Sequence, residues 1–426
     1  MKPKTNSETI FTWKKQQQSN MTIGNRILTL RKKNGLKRTE LARIIDVPVP
    51  TLRDWEKNLS LGKSLLDKLI PLSQELNVSI SEILTGKSDD DLSTDLAFIS
   101  PDTPTPEYCK IRLLHFLRFN SLDCNLYVKL SNKKYVKIIN KYDLYTTDDI
   151  LKFEKKGIND FYVKGNDYIP FVENLINIIN LKVSDRKNAT KQHASIFMTT
   201  SELINQLIHS IGITEQTKKT IEHVIYNTVN AIEQNPKVAN ILSKINIGKE
   251  PYIYEHSLLQ SYISSSLISI MNYSSESIMH KLCLASFLHD ITFKNTKHAK
   301  LNNLDGLSWQ DLKIVSNHPA KAAQLATTFN NFFMDVDKII IDHHETFEGD
   351  GFPRGIGANQ IPPLSGLFII CHDIVDLIYD TEKEKFSSNE FSKIINSIKN
   401  KYSAFTDIKH VMEIMAGLDK LVGLKS

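Results

Sequence analysis

Eight of the chain's thirteen histidines fall between residues 256 and 372, and several stand beside carboxylates at the ends of apolar stretches. The apolar run 282–288 leads into His289-Asp290, and 367–370 leads into His372-Asp373. Imidazole and carboxylate together suit iron, manganese or zinc. A single buried histidine is usually structural. The adjacent pairs His289-Asp290 and His343-His344 are harder to account for that way, because burying both members without a partner is costly. A helical bundle can aim such residues from distant parts of a chain into one central cavity. The distribution therefore calls for a fold in which at least four remote segments converge.

That fold occupies only part of the chain. At 426 residues the sequence is too long for one ordinary domain, and two to four are expected. Residues 1–21 are polar and read as disordered. Residues 22–87 show dense helical periodicity. Residues 88–107 contain six acidic residues, no basic ones, and Pro101, Pro104 and Pro106, which reads as a linker. In 108–181, alternation over 125–130 and 135–139 around a turn at 131–134 predicts a hairpin. A short helix over 148–156, a third strand over 160–164 and a helix over 169–181 complete a small α/β module, read as sensory or docking. Residues 182–250 read as a helical connector, with Ile204, Leu207, Ile208 and Ile211 on one face and Ile221, Val224, Ile225 and Val229 on another. Residues 251–426 read as all-α. The fold class expected is mainly α and multidomain.

The four scattered cysteines read as reduced thiols, and no apolar run approaches the roughly 18 residues that span a bilayer. A cytoplasmic protein with no membrane partner is expected.

The formal charge of +5 is modest, so any nucleic-acid footprint must be local. Residues 21–65 hold ten basic residues against four acidic ones, the patch that phosphate neutralisation needs. There, 23–33, 39–46 and 50–57 predict short helices joined by tight turns, marked by Leu41-Ala42, Val47, Trp55-Glu56 and the closing stretch 76–84. Over some 65 residues this resembles the Cro/C1-repressor helix-turn-helix, which implies DNA as partner and a second helix in the major groove. Arg38 stands where that family usually has glutamine and would serve a phosphate. Pro48 and Pro50 frame the recognition helix, which leaves Val49, Arg53 and Lys57 to face the groove.

The carboxy-terminal motifs run His256; His289-Asp290; His318-Pro319-Ala320-Lys321-Ala322; His343-His344-Glu345, continuing to Gly351-Phe352-Pro353; and Asp373-Ile374-Val375-Asp376. In that order and spacing they resemble the HD-GYP class of HD phosphohydrolases, which cleaves cyclic di-GMP. The resemblance implies His256, His289, Asp290, His318, His343, His344 and Asp373 as ligands of two divalent transition-metal ions, iron or manganese. Asp290 would bridge the ions and act in catalysis. Two ions about 3.5–4 Å apart can activate a hydroxide and clamp a phosphodiester for in-line attack. Lys294, displaced from its usual place, would be catalytic and bind substrate, and Lys385 would bind substrate. The cyclic dinucleotide would be a second partner, with a homodimer as an option for assembly.

Several positions depart from that class. Tyr252 replaces the glutamate of three-metal members, so two ions are expected. Phe352 replaces the namesake tyrosine, and Glu348 an aspartate. Leu367 and Glu382 stand where arginines are expected, and a carboxylate at a phosphate site costs affinity. The alternative to catalysis is a transcriptional regulator whose HD-GYP-like domain senses a nucleotide or assembles. His372 reads as structural, and His280 and His298 as surface or helix-end residues.

Overall fold

The computed structural model describes residues 22–422 apart from 58–64, 66–67, 77, 79–82, 84–105, 132–133, 182–188, 235–237, 245–246, 249–250, 272–274, 294–295, 302–303, 305 and 330–333. The expected disordered start, nearly all of the acidic linker, and Lys294 lie outside the described residues. Those within 1–95 and 232–426 form one compact unit, and those within 96–231 another. The stretch 182–250, read as a connector, is thus shared between the two.

In the first unit, α1 (Ile23–Lys33), α2 (Arg38–Ile44), α3 (Val49–Glu56) and α4 (Leu69–Leu76) form the amino-terminal bundle. Thr22 caps α1 by accepting the Asn25 N–H, satisfying a donor the first turn leaves free. Proline sits in the first turn of α3, where its missing N–H costs nothing. Leu41, Leu52 and Trp55 are fully buried. Inside the bundle the Glu56 carboxylate takes Arg31 at 2.5 Å on one oxygen and Arg38 at 2.7 Å on the other. Burial opposes the charge on Glu56, but the two guanidiniums outweigh it and hold the carboxyl below its ordinary range.

The rest of this unit is helical. It comprises α9 (Val238–Lys244), α10 (Tyr252–Ser269), α11 (Glu276–Leu288), α12 (Trp309–Ala326), α13 (Val336–Asp342), α14 (Pro363–Asp380), α15 (Ser388–Lys401) and α16 (Lys409–Leu421). Helix α10 is buried on all sides, so it shows no amphipathic stripe. Its serines solve the polar problem locally: the Ser257, Ser261 and Ser264 hydroxyls donate to carbonyls one turn back at 2.6–2.9 Å. The amino-terminal bundle and the larger one share a core, in which Leu312 and Val315 of α12 and Phe352 join Leu41, Leu52 and Trp55.

The second unit holds β1 (Tyr108–Arg112), β2 (Leu126–Ser131), β3 (Lys134–Ile139), α5 (Thr147–Glu154), β4 (Asp160–Lys164), α6 (Gly165–Leu181), α7 (Ala189–Ile211) and most of α8 (Glu215–Gln234). Its antiparallel sheet runs β1-β4-β2-β3. Ile111, Phe161 and Val163 point to a buried face with Ile150 and Phe171, and the opposite face carries none of these. At the end of β1, Arg112 pairs with Glu202 of α7 at 2.6 Å. The expected helix-turn-helix, small α/β module and all-α region are all present. No described helix is long and apolar enough to cross a membrane.

Candidate metal centre

Helix ends and one proline build the site. His289 and His343 stand at the carboxy-terminal caps of α11 and α13, where backbone carbonyls lack intrahelical partners. Their Nδ1–H groups donate to Ser286 O at 2.9 Å and Ile340 O at 2.6 Å. His318 reaches the same state inside α12, because Pro319 has no N–H to give the Val315 carbonyl. His318 Nδ1 donates to that carbonyl at 2.6 Å. A carbonyl only accepts, so all three rings carry their proton on Nδ1 and turn the Nε2 lone pair into the cavity, the tautomer a metal ligand needs.

Six imidazoles and one carboxylate meet there in two groups. Asp290, His318, His343 and His344 place ligand atoms within 4.8 Å of one another, and so do His256, His289 and His372. Asp290 lies between them, with Oδ1 3.4 Å from His318 Nε2 and Oδ2 3.5 Å from His289 Nε2. The Nε2 atoms of His318 and His343 face each other at 3.0 Å. Two lone pairs so placed repel unless a cation stands against both. Neither His289 Nε2 nor Asp290 Oδ1 has a hydrogen-bond partner among the described residues, although both are buried. The donor set fits borderline transition metals.

Burial disfavours charge on four of these rings. It pushes His256 down to about 3 and His289 to about 4, and holds His343 and His344 well below the ordinary histidine value. Neutral imidazoles are what a cation requires. His372 differs: burial opposes its charge, but the Asp376 carboxylate 3.1 Å from Nδ1 outweighs it and raises the pKa.

The last motif is placed differently from expectation. Asp373 turns away from the cluster, its Oδ2 accepting from Lys401 Nζ at 2.7 Å and from the Tyr402 hydroxyl. His372, read from sequence as structural, points inward, its Nε2 3.1 Å from that of His256. Neighbours on a helix are about 100° apart, so only one of the two can face the centre. The His372/Asp376 spacing of four was the signal for an oriented imidazole. Tyr252 lies tilted against His256 with centroids 5.1 Å apart. Lys385 is exposed, and Glu382, also exposed, has a left-handed backbone at φ 55.

The loop after His344 wraps Glu345, whose buried carboxylate accepts from Arg354 N at 2.7 Å and Ile356 N at 3.0 Å; burial raises its pKa to about 7. Phe352 N donates to His344 O at 3.0 Å, and its ring lies parallel on His344 at 4.6 Å. The tyrosine hydroxyl is absent, but the ring has a use: it backs a candidate ligand. From α4, Gln74 Nε2 donates to the carbonyls of Gly349 at 3.0 Å and Gly355 at 2.8 Å. A Cβ on Gly351 would stand 2.5 Å from the backbone of His344, Glu345 and Thr346. Gly351→Ala is therefore expected to displace His344, costing about 1–3 kcal/mol and lowering metal content severalfold by elemental analysis; an unchanged content would mean the loop yields freely.

On the amino-terminal bundle, Val49 is 39% exposed and the Arg53 side chain 52%. Lys57 is exposed too, whereas Arg38 is committed to Glu56 and holds the fold.

Residues 240–402 match the HD domain family and residues 27–83 a helix-turn-helix family. The chain is 24% identical over 148 residues, 35% of each chain, to Cyclic di-GMP phosphodiesterase PA4108 of Pseudomonas aeruginosa. It is 24% identical over 141 residues, 33% of this chain and 38% of the relative, to a Cyclic di-GMP phosphodiesterase of Thermotoga maritima. The alignments thus span about a third of these curated relatives. A solved HDG"Y"P protein of Bdellovibrio bacteriovorus superposes with a TM-score of 0.49 at 21% identity, over 74% of this chain and 99% of that one. The chain joins an amino-terminal helix-turn-helix to a carboxy-terminal HD domain.

Proposed function

We propose that the HD domain is a two-metal phosphodiesterase acting on cyclic di-GMP or a related cyclic dinucleotide, carried by a chain that binds DNA. The observation that carries this reading is the pair of buried ligand groups sharing Asp290. His318, His343 and His344 would hold one ion and His256, His289 and His372 the other, iron or manganese by donor type. Such a pair supplies a hydroxide at neutral pH and neutralises phosphodiester charge. The chain's own part is to orient His289, His318 and His343 through Ser286, Val315 and Ile340, and to hold Asp290 ionised among them. Lys385 and Lys294 are the cations we propose for the phosphate.

Protein loaded with Mn²⁺ or Fe²⁺ and incubated with cyclic di-GMP is expected to give linear product, absent from a His289→Ala/Asp290→Ala variant. No turnover by protein verified to contain metal would defeat the enzymatic reading. Glu382 in place of a phosphate-binding arginine, with Asp373 held by Lys401 and Tyr402, favours the second reading, a regulator that binds the nucleotide without cleaving it. For the amino-terminal domain, Val49, Arg53 and Lys57 are the proposed groove contacts. Arg53→Ala is expected to weaken a gel shift by at least about tenfold, on the scale of a lost base contact worth about 1–3 kcal/mol. A shift indifferent to that change would assign the domain to assembly.

A further inference from the structure

The sheet of the second unit has one face packed on helices and one face of unusual composition. Strand pairing fixes which side chains share the outer face, because residues directly opposite point the same way. Tyr108 lies opposite Lys164 and Tyr162 opposite Lys110 on the β1–β4 pair. Tyr127 lies opposite Lys137 and Tyr135 opposite Lys129 on the β2–β3 pair. Tyr127 also lies opposite Tyr162, which joins the two strand pairs into one surface. Every tyrosine of this face therefore has a lysine as its cross-strand neighbour.

The rings touch one another. Tyr108 and Tyr135 are parallel with centroids 4.0 Å apart. Tyr127 meets Tyr108 edge-on at 5.0 Å, and Tyr162 meets Tyr135 edge-on at 5.1 Å. Tyr127 is buried beneath its neighbours, whereas Tyr108, Tyr135 and Tyr162 keep part of their surface in solvent. The four lysines are exposed. Among the described strand residues the acid on this face is Asp160, opposite Arg112 and 3.4 Å from Lys110, so Lys129, Lys137 and Lys164 add positive charge around the rings. A face meant for burial would be aliphatic, and a face meant only for water has no use for four packed rings.

We infer that this face binds single-stranded nucleic acid, with bases stacking on the tyrosines and lysines following the phosphates. The chemistry is complementary at both levels: planar rings offer stacking to any base, and the exposed lysines opposite them offer charge to the phosphates. A duplex keeps its bases stacked inside and cannot use the rings. The helix-turn-helix, by contrast, suits a major groove. The chain thus holds separate surfaces for double- and single-stranded partners, and the second does not depend on the metal centre.

The test uses the full chain, with fluorescence anisotropy of 5′-labelled 12-nucleotide oligo(U) and oligo(dT) and the same length of duplex as comparison. Tyr135→Ala is expected to weaken single-strand binding at least about fivefold, one lost stacking contact, while Tyr135→Phe keeps wild-type affinity. Lys129→Glu/Lys137→Glu/Lys164→Glu should reduce the slope of log affinity against log salt by about two, at roughly 0.7 per phosphate, with duplex binding unchanged. These lysines are exposed, so the variant retains its fold, checked by its melting curve. Absent single-strand binding, or binding indifferent to the lysine variant, would overturn the inference. So would equal competition by poly-L-glutamate, which would make the face a site for acidic protein.

Discussion

Adding Mn²⁺ or Fe²⁺ to chelator-stripped protein should raise its midpoint of thermal unfolding by roughly 10 °C. An ion bound only by the folded state at a thousand times its Kd contributes about 4 kcal/mol, and a domain of this size gains about 2–4 °C per kcal/mol. Asp290→Asn, which preserves size but removes the shared carboxylate, should lose most of that gain while the stripped variant still melts cooperatively. The stripped protein should also be acid-sensitive in a defined window. His256 and His289 stay neutral in the fold down to about 3 and about 4, whereas the unfolded chain takes up protons near pH 6.5. The unfolded state then binds more protons, so stability falls as pH drops from about 6.5 toward 4, and metal should resist that fall. A melting point flat across this window in stripped protein would mean the rings are in water, and the candidate centre would be lost with them.

Glu56→Ala is expected to be the most damaging single change in the amino-terminal domain. It removes the anion that two guanidiniums share and strands Arg31, whose side chain is only 8% exposed. Breaking one side of a buried ion pair costs about 3–5 kcal/mol, enough to open a small bundle. Limited proteolysis should find new cleavage within 22–57, and DNA binding should disappear with the fold. Arg38→Ala should cost no more than about 1 kcal/mol, since its side chain is 36% exposed. A strong loss of DNA affinity from Arg38→Ala in a stably folded protein would return Arg38 to the phosphate role its position in the motif suggests.

What could be read beforehand followed from how local each signal is. Alternation over 125–139 placed β2 and β3, because a hairpin is decided by neighbouring residues. Strand β1, the five residues Tyr108–Arg112, was not expected: it abuts the acidic stretch and pairs with β4 some fifty residues away. The histidine-bearing helices were legible from apolar runs ending in polar residues. Whether His372 or Asp373 faces the centre was not, because rotation of α14 is set by packing, here with Lys401 at the end of α15 and Tyr402 just after it taking the aspartate. The serines of α10 gave no periodic signal, since a helix buried on every side has no polar face to reveal it. The core shared by Leu52, Trp55, Val315 and Phe352 joins segments too remote for any pattern to connect.

Phe352 belongs at once to the interior of the amino-terminal domain and to the backing of His344. Undocking that domain would wet this ring and bare the imidazole behind it in a single event. If the chain binds DNA and metal as proposed, and either event requires the halves to part, the two draw on one equilibrium and each alters the other's dissociation constant by the same factor.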